Sequence, residues 1–221
     1  MARRNPVTPR KQPRQRRSRE TLRAILEAAT QVFAKHGYAA GTTNRIARRA
    51  GVSIGSLYEY FPNKDAILVA LAERHLERMV GEVQGLLAAA RDSPEPLQRL
   101  LRRFVTAMLE VHRREPDLMR VVFSDAPHPS ELHACVLQTE EALAHAVQDL
   151  LQGSPELSLP DPDTAAHLVV QTVEALTHRF VHHGIHQLGD DLFVEEVVTL
   201  LEGYLRRSGR GGTLSSSPPP A

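Results

Sequence analysis

Residues 42–61, Thr-Thr-Asn-Arg-Ile-Ala-Arg-Arg-Ala-Gly-Val-Ser-Ile-Gly-Ser-Leu-Tyr-Glu-Tyr-Phe, read as two short helices joined by a tight turn. Thr42 or Thr43 supplies a cap for a first helix whose inward side is Ile46 and Ala47, with Ala50 closing it. Ala47 is small, as a close crossing of two short helices requires. Gly51 stands where the chain leaves that helix, a position that usually needs a positive φ. Val52 then points into the angle between the helices, and Ser53 caps the second. That second helix buries Leu57 and Phe61, four apart, and leaves Ile54, Gly55, Ser56, Tyr58 and Tyr60 on its outer side. A helix too short to support itself, showing small and polar aromatic residues outward, suits the major groove of DNA.

The charge distribution supports this. Residues 1–64 carry 14 Lys and Arg against 3 Asp and Glu, and the remainder carries 13 against 23. The formal net charge of +1 therefore hides a strongly basic end, the electrostatic footprint of a polyanion partner. Nucleic acid fits it best.

The run Gly41-Thr42-Thr43, Ile46-Ala47, Ala50-Gly51-Val52-Ser53, Gly55 to Phe61 and Lys64, with Ile25, Ala28, Ala29, Phe33 and Gly37 upstream, resembles the N-terminal signature of TetR-type transcriptional regulators. The resemblance covers residues 18 to about 79. It implies an all-α fold of about nine helices: a helix-turn-helix DNA-binding head, then a helical domain for ligand binding and dimerisation. It also implies a dimeric repressor that leaves a palindromic operator when a small-molecule effector binds. Thr43, Tyr58, Tyr60 and Lys64 correspond to family positions that touch phosphates or the groove edge, with the caps Thr42 and Ser53 beside them. Asn44, Arg45, Ile54, Gly55 and Ser56 are better placed for base edges. Asn44 departs from the family, which often has a basic residue there; an asparagine can pair with adenine.

The organisation of the chain follows from its breakers and apolar stripes. Residues 1–17, with Pro6, Pro9, Pro13 and seven basic side chains, are expected to form a disordered basic arm. The DNA-binding domain is expected at 18–64, its first helix running Ser18–His36 and stopping at Gly37. Asn63 caps a long helix reaching about Ala90, on the order of 40 Å long. Further helices are expected near 96–114, Glu115–Ser124, Ser130–Leu151, Asp163–His183 and Asp190–Arg207. The effector-binding and dimerisation domain would thus span 65–207, and 208–221 would be a disordered tail.

The last two helices carry more apolar residues than one packed side needs, so both a core and a partner are implied. By resemblance they pair with their copies in a homodimer, with Leu168, Leu176, Phe180, Val194, Val197, Val198, Leu201 and Leu205 at the interface. Dimerisation also suits two recognition helices reading a palindrome. An effector pocket would draw its lining from Phe104, Met108, Met119, Phe123, Val136, Val170, Val173 and His178, though taken singly each reads more simply as an ordinary core residue.

Enzymatic chemistry finds little support. The chain has no Gly-rich phosphate loop, no nucleophile elbow and no His-Glu-x-x-His. His178, His182 and His186 recur at a spacing of four with Glu174 extending the row, and His183 lies beside them. That spacing can place two imidazoles on zinc, but pocket or interface histidines account for it more simply, so no metal and no cofactor is expected. Cys135, the single cysteine, excludes an internal disulfide and is expected to be a small buried apolar side chain. No run of about 18 apolar residues exists to span a membrane, and the basic N-terminus lacks the apolar stretch of a signal peptide, so a cytoplasmic location is expected. An effector-independent nucleoid or RNA-binding protein is the alternative; it would need only the basic head and leave the acidic remainder without a role.

Overall fold

The computed structural model describes residues 16–93, 95–114, 116, 121–122, 129–154, 156–183 and 188–208. Among them run eight helices and no strand: α1 (Arg16–Ala40), α2 (Thr43–Ala50), α3 (Ile54–Tyr60), α4 (Lys64–Asp92), α5 (Leu97–Arg114), α6 (Ser130–Gln152), α7 (Pro162–His183) and α8 (Asp190–Ser208). The all-α expectation holds, with eight helices among the described residues where about nine were expected for the chain. The helix expected at Glu115–Ser124 lies outside the described residues except for 116, 121 and 122, as do the arm up to residue 15 and the tail from 209.

Breakers and caps set the boundaries. Gly37, at φ 71° and ψ 168°, interrupts α1, and Tyr38–Ala40 add a final turn beyond the expected stop. Gly41 is required by close approach: a Cβ there would collide with the ring of buried Phe33. Asn63 Oδ1 accepts the Ala66 amide at 2.8 Å and starts α4 as expected. Asp161 does the same for α7, taking the Thr164 amide at 3.0 Å and its hydroxyl at 2.6 Å.

The chain forms two compact units, Met1–Arg78 with His112–Thr139, and Met79–Val111 with Glu140–Ala221. The first unit holds the helix-turn-helix. Its core joins Ile25, Ala29 and Phe33 of α1 to Ile46 and Ala47 of α2, Leu57 of α3, Phe61, and Ile67, Leu68 and Leu71 of α4. Val121, Val122 and Leu132 belong to the same cluster. Cys135 is only half-buried, contrary to expectation, and burial followed by the charges of Glu73 and Glu77 pushes its thiol up.

In the second unit α5, α6, α7 and α8 surround a core of aliphatic side chains and the stacked rings of Phe180 and Phe193, whose centroids are 4.0 Å apart. Arg206 ties α8 down by bonding Glu156 at 2.9 Å, held by Glu202 of its own helix, also at 2.9 Å. This packing corrects the expected dimer face. Phe180, Val194, Val197, Val198, Leu201 and Leu205 are buried within their own unit, and Leu176 is half-buried. Each helix spends its wider apolar side on the unit's own core. Leu168 is the expected residue that remains exposed, joined by Leu192 and Leu200.

Candidate nucleic-acid interface

The head is built as a pair of capped helices. Thr42 Oγ1 accepts the Arg45 amide at 3.3 Å and begins α2. Gly51 ends it in the left-handed conformation at φ 69°, and the following Val52 amide reaches back to the Ala47 carbonyl at 3.1 Å. Ser53 Oγ accepts the Ser56 amide at 3.0 Å and begins α3. Each cap satisfies amide or carbonyl groups that a helix of seven or eight residues would otherwise leave open at its ends. Leu57 and Phe61 are wholly buried, which orients α3.

On the outer side of α3, Ile54, Gly55 and Tyr58 are exposed and Ser56 is half-exposed. Thr43 Oγ1 lies 3.2 Å from Tyr58 Oη, so α2 and α3 present one joined surface. Thr42, Asn44 and Ser53 are also exposed. A Cβ at Gly55 would meet nothing closer than Ser53 Oγ at 3.8 Å. The fold therefore gives no reason for glycine at this position, where alanine would favour the helix by about 0.5–1 kcal/mol.

One expected position is corrected, and a second has partners within the head. Tyr60 is buried, not outward, and its phenol lies 2.9 Å from Ser18 Oγ, tying the end of α3 to the start of α1. Lys64 is half-buried: its ammonium donates to the carbonyls of Tyr38 at 2.9 Å and Ala39 at 3.3 Å and stands 4.1 Å over the Tyr38 ring. Tyr38 in turn donates its phenolic hydrogen to Asp65, and burial followed by that carboxylate pushes the phenol's pKa up. The ammonium thus caps the carbonyl end of α1. Ser18 was missed because no local pattern signals a bond 42 residues long. Arg45 lies on a different flank of α2 from Thr43, grouped with Arg48 and Arg49; their spacing of three and four was legible as a basic face.

The expected effector pocket is less assembled. Phe104, Met108, Val170 and Val173 are buried in the second unit and His178 is half-buried there; Val136 belongs to the first unit, and Met119 and Phe123 lie outside the described residues. Among the eight, Phe104 lines the apolar cavity between α4, α5, α6 and α7, which also meets Leu100, Leu101, Val147 and Val169. That cavity has a volume of about 10 Å³, room for roughly one water. The rings of His178 and His182 are 4.6 Å apart, while His186 and the His183 side chain lie outside the described residues. Among the described residues no three His, Cys, Asp or Glu side chains are grouped to hold a metal, and no helix is long and apolar enough to cross a membrane.

Comparison with known proteins agrees with this geometry. Residues 25–71 match the model of the bacterial regulatory proteins of the tetR family, and residues 96–205 match that of the tetracyclin repressor-like C-terminal domain. The HTH-type transcriptional activator FasR of Mycolicibacterium smegmatis is 32% identical over 128 residues, 58% of this chain and 57% of that protein. The HTH-type transcriptional repressor KstR of Rhodococcus jostii is 30% identical over 136 residues, 59% of this chain and 61% of its own length. The matched stretch thus spans less than two thirds of either relative. A solved structure of the fatty acid degradation regulator FadR from Bacillus halodurans shares the fold, with a TM-score of 0.66 at 22% identity, over 89% of this chain and 98% of the other.

Proposed function

The chain belongs to the tetR family of bacterial regulatory proteins, and from that premise we propose that it is a sequence-specific DNA-binding regulator acting as a homodimer on a palindromic operator in the cytoplasm. The observation that carries the reading is the outer side of α3. Ile54, Gly55, Ser56 and Tyr58 stand outward on a helix held by two caps and a buried Leu57, in the most basic part of the chain. Asn44, Ile54, Gly55 and Ser56 are assigned to base edges, and Thr42, Thr43, Ser53 and Tyr58 to phosphates and the groove edge. Tyr60 and Lys64 support that surface from beneath.

Residues 18–64 would serve as the DNA-binding domain, and 65–207 as the effector-binding and dimerisation domain. Two copies would meet through the outward residues of α7 and α8, led by Leu168, Leu192 and Leu200. The regulator is assigned as a repressor that a small molecule releases. Drug-sized ligands occupy about 300–1,000 Å³, far more than the cavity beside Phe104 offers, so an effector binding at that cavity would require its core to repack. A ligand that stabilises only the repacked arrangement would release DNA by shifting the population of states.

Footprinting with the purified protein tests the reading. One protected palindrome among random fragments is expected, and a small molecule that raises Tm should also remove the footprint. Uniform coating of every fragment would overturn it in favour of a general nucleic-acid-binding protein.

A further inference from the structure

The head carries a concave surface on the flank of α2 that faces α1. Arg45, Arg48 and Arg49 of α2 and Gln31, Lys35 and His36 of α1 line an open groove of about 470 Å³, with buried Val32 among them. Among the described residues no carboxylate contributes to its lining. Gln31 Oε1 accepts a bond from Arg49 Nε at 2.6 Å, which holds the guanidinium and leaves its fork of terminal NH₂ groups outside that bond. Such a fork matches phosphate oxygens. His36 stands among four permanent cations, and desolvation followed by the Arg45 and Lys35 charges holds it below its usual pKa. On α2 the like charges of Arg45, Arg48 and Arg49, three and four residues apart, repel one another. A polyanion would supply the missing counter-charge.

We propose that this groove binds backbone phosphates of double-stranded DNA outside the half-site read by α3, extending the contact on each copy. The inference rests on the DNA-binding reading above. An open groove with several separate cations suits a repeating anion better than a small one, which an enclosed pocket would surround. Thr43, 3.2 Å from Tyr58 on the reading surface, and Arg45 are two residues apart on α2 and point to different flanks at 3.6 residues per turn, so phosphates reached by the groove are not those beside α3.

The test measures affinity against salt for the full chain on two duplexes, one limited to the footprinted palindrome and one extended by about 10 base pairs, one helical turn, at each end. Removing one phosphate-binding cation lowers the slope of log affinity against log salt by about 0.9. Arg48→Gln with Arg49→Gln should lower the slope on the extended duplex by about one to two units and leave the short duplex unchanged. Arg48→Lys with Arg49→Lys should restore it. Lys35→Gln, a single change on α1, gives an independent reading in the same direction. Equal slopes for wild type and the double glutamine variant on the extended duplex would overturn the proposal. So would inorganic tripolyphosphate raising the Tm of wild type but not of that variant while slopes stay equal, which would assign the groove to a free anion. A wild type that prefers no operator defeats the parent reading alone, because the slope difference on extended random DNA still decides the groove.

Discussion

The phenolic oxygen of Tyr60 lies 2.9 Å from the hydroxyl of Ser18, joining the last residue of α3 to the first turn of α1. Tyr60 is nearly fully buried, so its hydroxyl needs a partner inside the head. Tyr60→Phe should therefore cost stability, about 0.5–1.5 kcal/mol. Ser18→Ala should cost a similar amount, and the two together little more than either, as a double-mutant cycle by thermal melting will show. If Tyr60→Phe lost operator affinity at full stability, the phenol would be a DNA contact after all.

Gly55 gives the opposite signature. A methyl group there meets only Ser53 Oγ at 3.8 Å, so Gly55→Ala should stabilise the fold by about 0.5–1 kcal/mol. The same methyl would stand between α3 and a base edge, and operator affinity should fall at least about tenfold, a cost of some 1.4 kcal/mol. A variant that melts higher and binds DNA as tightly as wild type would show that nothing approaches this backbone closely.

Lys64 tests a different division of labour. Its ammonium bonds the Tyr38 and Ala39 carbonyls, so Lys64→Ala should lower stability by about 1–2 kcal/mol. The salt slope of DNA binding should stay within error of wild type at temperatures where the head is folded. A drop of about 0.9 in slope, with Tm unmoved, would return Lys64 to the phosphate-binding set.

The dimer assignment separates two neighbouring residues. Leu200 is 53% exposed and Val198 1% exposed on the same helix. Leu200→Arg should give a folded monomer with little change in Tm and weak operator binding, by sedimentation and titration. Val198→Asp should instead unfold the second unit, because it buries an unpaired charge at a cost of several kcal/mol. A Leu200→Arg protein that stays dimeric places the interface elsewhere.

A pH response follows from the clasp between α6 and α7. His167 lies 3.1 Å from Glu141 and 3.0 Å from the Asp163 carbonyl, while His145 also reaches Glu141 at 3.1 Å and the Asp163 carboxylate stands 3.7 Å from His167. The Asp163 carbonyl, then Glu141, raises the pKa of His167, and His167 in turn lowers that of Glu141. For His167 the raised folded pKa means stability fully present below its unfolded value of 6.5 and lost as pH rises through the folded one. For Glu141 the lowered pKa means stability present above 4.5 and lost as pH falls through the folded one. The clasp should thus help most between about pH 4.5 and 6.5. Plotted against pH, the Tm difference between wild type and His167→Gln should be largest there and shrink above about pH 7. A difference independent of pH would mean that His167 acts through packing alone.

Local chemistry made much of this protein legible in its sequence. Thr42, Gly51, Ser53 and Asn63 mark helix ends because caps and left-handed turns depend on residues only a few positions apart. The buried pair Leu57 and Phe61 follows from helical periodicity, and the basic head from charge counting. Where a side chain could serve either of two surroundings, only the tertiary structure decided. Tyr60 turned inward because Ser18, 42 positions earlier, packs beside it, and Lys64 was claimed by the carbonyl end of α1. Val198 went to the core and Leu200 to solvent because α8 has one side to bury in its own unit, and periodicity alone does not say which. The groove between α1 and α2 is of the same kind: its cations were countable in the sequence, but their convergence depends on two helices meeting.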